Sequence, residues 1–196
     1  MTNSTIAVAV FGSGGASPDH PVVAEAERLG RLLAEAGFTL LCGGYGGIME
    51  AASRGAHRAG GEAIGVTLDL FAPRLEPNPW LTKERRVKDF FPRLQHLTAA
   101  DGFVVLRGGI GTLTEMTLAW TLLQTGQISP RPFIFVGDGW RRLFDVFRAE
   151  TFMTERDFAL ATVVDSVDEA LDILKDALAP TPWRPSSTGP KRGLTR

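Results

Sequence analysis

Glu115 stands one helical turn behind a cluster of glycines and threonines in the stretch "LRGGIGTLTE" (106–115). Glycine lets a ligand approach backbone amides closely. A helix that opens from such a turn offers unpaired N–H groups and the positive end of its dipole. Gly108, Gly109, Gly111 and Thr112 would therefore hold an anion, with the Glu115 carboxylate near whatever is attached to it. Two other turns are of the same kind. "VFGSGGAS" (10–17) supplies Gly12, Ser13 and Gly14, and "LCGGYGGIME" (41–50) supplies Gly43, Gly44, Gly46 and Gly47. One glycine turn is often only a tight connection. Three at one edge point to a phosphate or a nucleotide. Glu115 also has a plain reading: residues 112–115 spell T-x-x-E, a capping box in which the carboxylate turns back to the helix start and does no chemistry.

The scaffold that would bring these turns together is legible as well. The runs at 6–11, 38–42, 62–66, 102–106, 132–136 and 161–164 are continuously apolar, as strands covered on both faces are. Helical periods separate them. Val22, Ala26, Leu29 and Leu33 form one stripe, and Val167, Leu171, Leu174 and Leu178 another. Ser166 and Glu169 spell a capping box before the second stripe. This alternation predicts an α/β, Rossmann-like, doubly wound and mostly parallel sheet with helices on both faces. Its strand C-termini, and so the three turns, share one edge. Residues 68–100 are less regular, with a Pro-rich loop, a helix expected from about Lys83, and Pro92 as a break unless it opens a second helix. Residues 1–178 read as a single nucleotide-binding domain. Residues 179–196, rich in Pro, Ser and Arg, read as a flexible tail.

Composition narrows the function classes. The net charge of −1 gives no field for nucleic acid or an anionic membrane. No run approaches the roughly 18 apolar residues of a membrane span, and the first residues lack the pattern of a signal peptide. A single cysteine, Cys42, fits a reducing cytoplasm and reads as a small buried hydrophobe. His20, His57 and His96 have no zinc-ligand spacing, so no metal is expected. The first turn is not G-x-G-x-x-G and the second strand ends in Cys42-Gly43 rather than an acid, which argues against NAD. There is no P-loop lysine. Lys83, Lys88, Lys175 and Lys191 all lie away from the strand ends, which disfavours pyridoxal phosphate.

"GGIGTLTE" (108–115) resembles the P-G-G-x-G-T-x-x-E motif of the LONELY GUY (LOG) family, and "GGYGGIMEAASRGAHRAGGEAIGV" (43–66) is similar to that family's G-G-x-x-G-[LI]-M segment and its continuation. The resemblance spans about residues 5–175. It implies a nucleoside 5′-monophosphate phosphoribohydrolase, which splits AMP or a modified AMP into free base and ribose 5-phosphate. It implies a homodimer and neither a metal nor an organic cofactor. Glu115 takes the family's catalytic acid position. Two positions depart from the pattern. Arg107 replaces the motif's proline, adding a charge beside the phosphate site. The family's R-K-x-x-M is absent: Pro92 falls at its arginine and Arg93 at its lysine. Arg93 is the expected partner of Glu115, with Arg85 and Arg86 as substitutes, while Asp89 offers Arg93 a surface pairing instead. The alternative function is a carrier or sensor that only holds a nucleotide or the molybdenum cofactor.

Overall fold

The computed structural model describes residues 6–72 and 74–178, so the expected tail lies outside the described residues. All six expected strands form: β1 (Ala7–Phe11), β2 (Thr39–Cys42), β3 (Ala63–Leu68), β5 (Gly102–Val105), β6 (Phe133–Val136) and β7 (Thr162–Val164). A seventh, β4 (Lys83–Val87), pairs with β3 where a helix was expected, with Val66 opposite Arg85. The correction has a simple cause. Lys83, Glu84, Arg85 and Arg86 are exposed on a sheet edge, so no apolar pattern marks them. Charge on an edge strand also discourages pairing with another chain.

The sheet order is β4-β3-β2-β1-β5-β6-β7, and every pairing is parallel. Side chains alternate across it. Val8, Val10, Val104 and Ile134 join the core beneath α1 (Pro21–Glu35), α2 (Ile48–Arg58) and α7 (Val167–Leu178). Ala9, Phe11, Phe103, Val105, Phe133 and Phe135 join the opposite core, beneath α3 (Phe90–Thr98), α4 (Ile110–Gln124), α5 (Asp138–Glu150) and α6 (Glu155–Phe158). Both faces are therefore covered, which is why the strands read as unbroken apolar runs. On one face, a Cβ at Gly30 of α1 would collide with the Ala52 carbonyl, and one at Gly55 of α2 with that of Glu27, so these two glycines let the helices pack closely.

The chain reverses direction across the sheet between β1 and β5, with β4 at one edge and β5 beside β1. In open α/β sheets that switch point is where ligands bind. Pro92 occupies the third position of α3, in the first turn where its missing N–H costs nothing. The predicted cap of α7 forms through Ser166 Oγ, which accepts from the Glu169 N–H at 3.2 Å. No described helix is long and apolar enough to cross a membrane.

Candidate functional site

The three glycine turns meet at the switch point. Ser13 is the junction: its N–H donates to the Arg107 carbonyl (3.3 Å) and its carbonyl accepts from the Ile48 N–H (2.9 Å). Turn one thus ties turn three to the start of α2. Close packing explains much of the glycine. A Cβ at Gly12 would collide with Ile48, and one at Gly14 would press on the Met49 methyl. Gly47 has φ +64° and lies directly on the Ser13 carbonyl. Gly44, also at positive φ, lies against Thr67 and Gly65, while Gly46 faces the Gly14 carbonyl. At Gly108 a Cβ would strike the buried Thr112 side chain. Gly109 and Gly111 are different. A Cβ there would meet nothing within 4 Å, so these two border open space.

Turn two is braced by residues the sequence did not single out. Asn78, buried in the Pro-rich loop, donates its backbone N–H to the Gly44 carbonyl (2.9 Å) and its Nδ2 to the Tyr45 carbonyl (3.2 Å). Tyr45 Oη accepts from the Leu68 N–H at 2.7 Å. Cys42 is fully buried, its sulfur accepts from the Gly44 N–H, and burial pushes its thiol pKa up. That makes it a packing residue, as expected, and a poor nucleophile.

Gly43 has a particular neighbour. A Cβ there would collide with Nη2 of Arg93 and come 2.7 Å from Met49 Sδ. The Arg93 guanidinium lies against this turn because α3 packs beside β3. Its Nε donates to the Val66 carbonyl at 2.9 Å, and its Nη1 donates to Glu115 Oε1 at 2.9 Å. The two side chains are 7% and 10% exposed. Arg93 is thus the arginine that reaches Glu115. The surface pairing with Asp89 does not form, and only the Arg93 backbone N–H meets the Asp89 carbonyl. Arg85 instead meets His96, and Arg86 pairs with Asp69.

The capping-box reading of Glu115 fails on position. Helix α4 has Gly109 as its N-cap, with no side-chain cap. Thr112 therefore lies inside the first turn, and Glu115 points to α3. Burial pushes the Glu115 carboxyl above its ordinary pKa, and the nearby Arg93 opposes that rise without cancelling it.

A cavity of about 300 Å³ opens over turns one and three, lined by Ser13, Gly15, Ser17, Arg107, Gly108 and Gly109 among others. A second, of about 560 Å³, lies between the starts of α1 and α5. His20 borders both. It caps α1, its Nδ1 accepting from the Val22 N–H at 3.2 Å. No sequence signal marked it, since the usual caps are Ser, Thr, Asp and Asn.

Comparison with known proteins bears on family and fold. A family described as "Possible lysine decarboxylase" matches residues 49–174, and the "SLOG cluster4 family" matches residues 5–75. Over 167 residues the chain is 33% identical to a cytokinin riboside 5′-monophosphate phosphoribohydrolase of Mycobacterium tuberculosis, covering 80% of this chain and 87% of the relative. It is 30% identical over 165 residues to a probable cytokinin riboside 5′-monophosphate phosphoribohydrolase of Oryza sativa subsp. japonica, covering 80% and 70%. In fold it is similar to the molybdenum cofactor binding protein of Rippkaea orientalis, with a TM-score of 0.71 at 23% identity over 89% of this chain and 98% of that one. The molybdenum cofactor carrier protein of Chlamydomonas reinhardtii gives 0.65 at 22% over 90% and 99%. With more than half its length inside one family match and a 33% identical relative aligned over 80% of it, the chain belongs to the LONELY GUY (LOG) family.

Proposed function

We propose that the protein is a nucleoside 5′-monophosphate phosphoribohydrolase acting on AMP or a modified AMP. The observation that carries the reading is the buried Arg93–Glu115 pair, one turn beyond glycines that border open space. In this reading the 5′-phosphate sits on the backbone of residues 108–112, with Ser13 and the other two turns closing around it. Glu115 then faces the ribose. As the C1′–N bond breaks, positive charge develops on the sugar, and a carboxylate in a dry, low-dielectric setting stabilises it strongly. The same carboxylate takes a proton as a water oxygen bonds to C1′, and burial makes it a stronger base than an exposed acid. Arg93 opposes the rise that burial causes and orients the carboxylate through bonds to Glu115 and to the Val66 carbonyl. The departing base takes up the proton that Glu115 received from water, which restores the carboxylate and leaves ribose 5-phosphate. No metal or organic cofactor enters this scheme.

Helix α4 supports the expected homodimer. Its one charged residue, Glu115, is buried, so the solvent face of "IGTLTEMTLAWTLLQ" carries no charge. Thr114, Thr117 and Thr121 donate their hydroxyls to carbonyls four residues back, which satisfies those hydroxyls locally. Such a face is suited to a second copy of the chain. Light scattering should give twice the chain mass, and Thr121→Lys should give monomers.

The activity test is release of free base from AMP and from an N6-modified AMP, followed by chromatography, with Glu115→Gln in parallel. Release that disappears in the variant supports the reading. No release, with AMP still raising Tm, would replace it with a nucleotide carrier or sensor on the same scaffold.

A further inference from the structure

Glycines from two different turns leave room for one side chain. A Cβ at Gly14 would come 3.1 Å from the Met49 methyl, and a Cβ at Gly43 would come 2.7 Å from the Met49 sulfur. The Met49 side chain therefore bridges turn one and turn two. Its sulfur neighbours Arg93, whose Nη2 lies 2.1 Å from the same Gly43 Cβ position. Met49 is the second residue of α2 and its backbone is fixed. Its carbonyl accepts from Ser53 Oγ at 2.8 Å, and the preceding Ile48 N–H donates to the Ser13 carbonyl. Ile48, Ala51 and Ala52 are buried in the core, whereas Met49 is only half-buried, at the end of α2 that faces the glycine turns.

The Arg93 guanidinium is bonded at two of its three nitrogens. Nε donates to the Val66 carbonyl and Nη1 to Glu115. Among the described residues Nη2 makes no hydrogen bond, so its place is set by packing against Gly43 and Met49. A thioether suits that task. It is unbranched, polarizable and a weak acceptor, so it packs on a guanidinium or on sugar C–H groups without drawing hydrogen bonds from Glu115.

We propose that Met49 contacts the sugar of the bound nucleotide and positions Arg93. It forms the floor between turn one, which closes on the 5′-phosphate, and the Arg93–Glu115 pair, which faces C1′. In a nucleoside 5′-monophosphate the ribose joins those two points, and its path runs over the Met49 side chain. This inference rests on the nucleotide reading of the glycine turns and gives a role to the last residue of the G-G-x-x-G-[LI]-M segment.

The contact is tested on the full chain labelled with 13C at the methionine methyls, of which the sequence holds four. The Met49 signal is identified by its loss in Met49→Leu. It should shift with AMP and with ribose 5-phosphate, and much less with inorganic phosphate. The signal of Met153, at the far end of α5, should stay in place. AMP that raises Tm and leaves the Met49 methyl unmoved overturns the inference. The positioning role is tested by base release. Met49→Ala should lower kcat about tenfold or more with KM within about threefold of wild type, because Arg93 loses its support beside the reacting carbon. Met49→Leu keeps most of the bulk and should restore most of the rate. A Met49→Ala variant with wild-type kcat overturns the positioning role. If wild type binds AMP and releases no base, the proposed function fails, and the methyl shift alone decides the contact. If AMP does not bind, both readings fail.

Discussion

Among the arginine–carboxylate pairs that join helices in this protein, two behave in opposite ways. Arg28 on α1 meets Asp168 on α7 with side chains 46% and 49% exposed. Arg93 on α3 meets Glu115 on α4 with side chains 7% and 10% exposed. The hydrogen bond from Arg28 holds the Asp168 carboxyl below its ordinary pKa, whereas burial lifts Glu115 above its own despite the bonded Arg93. The contrast separates what an arginine does to an acid from what dryness does. In water the partner dominates, and inside the protein the lost hydration does. A carboxyl buried against an arginine, beside glycines open to a ligand, is arranged for chemistry. An acid stabilised in solvent is arranged to hold two helices.

The largest test of that contrast is activity. Glu115→Gln keeps the shape of the side chain and removes its charge, so base release should fall by about 100-fold or more. Asp168→Asn should leave the rate unchanged. Equal rates in wild type and Glu115→Gln would place the two acids in the same structural class. The next effect is on stability. Arg93→Ala strands a buried carboxylate and should cost about 3–5 kcal/mol in urea unfolding at neutral pH. Because protonation relieves a stranded acid, the loss should shrink as pH is lowered. Pairing the change with Glu115→Leu should recover much of it, since replacing both partners removes the unpaired charge.

The pair also shows where sequence reading succeeds and where it stops. The strands over the core were legible because both faces of the sheet are covered. The three glycine turns were legible because parallel topology places strand ends together. Strand β4 was not, since its exposed charged residues carry no apolar period and only the ladder to β3 makes them a strand. Glu115 had two readings because T-x-x-E serves both a cap and a site, and the choice depends on α4 starting after Gly109. Arg93 stood one position from the family's arginine. Its fitness became visible only when α3 was seen to begin at Phe90 and to turn that side chain under Gly43. His20 and Asn78 carried no signal, because their work is bonding to backbone groups that only the fold brings near.

Gly43 offers a smaller test of the same pair. In Gly43→Ala the new methyl would press on the Arg93 guanidinium and on Met49 Sδ, both the far ends of side chains, so the fold should lose about 1–3 kcal/mol. Base release should fall by more than that loss explains, because Arg93 can yield only by leaving Glu115. If Arg93→Lys and Gly43→Ala depress the rate together no more than either does alone, the two act through one arrangement.

The pH dependence of stability is the smallest effect and tests the direction of the two shifts. An acid whose folded pKa lies above its unfolded one binds its proton more tightly when folded. Its contribution is therefore complete below the unfolded value and is lost as pH rises through the folded one. Glu115 belongs to this class. Asp168 belongs to the other: its contribution is present above the unfolded value and is lost as pH falls through the folded one. In urea melts across the acidic and neutral range, the stability of wild type relative to Glu115→Gln should decline as pH rises. Relative to Asp168→Asn it should rise, by an amount that added salt erases, because an exposed pair is screened and a buried one is not. If the Glu115 difference rose with pH as well, the arginine would outweigh burial there. The two pairs would then differ in place and not in kind.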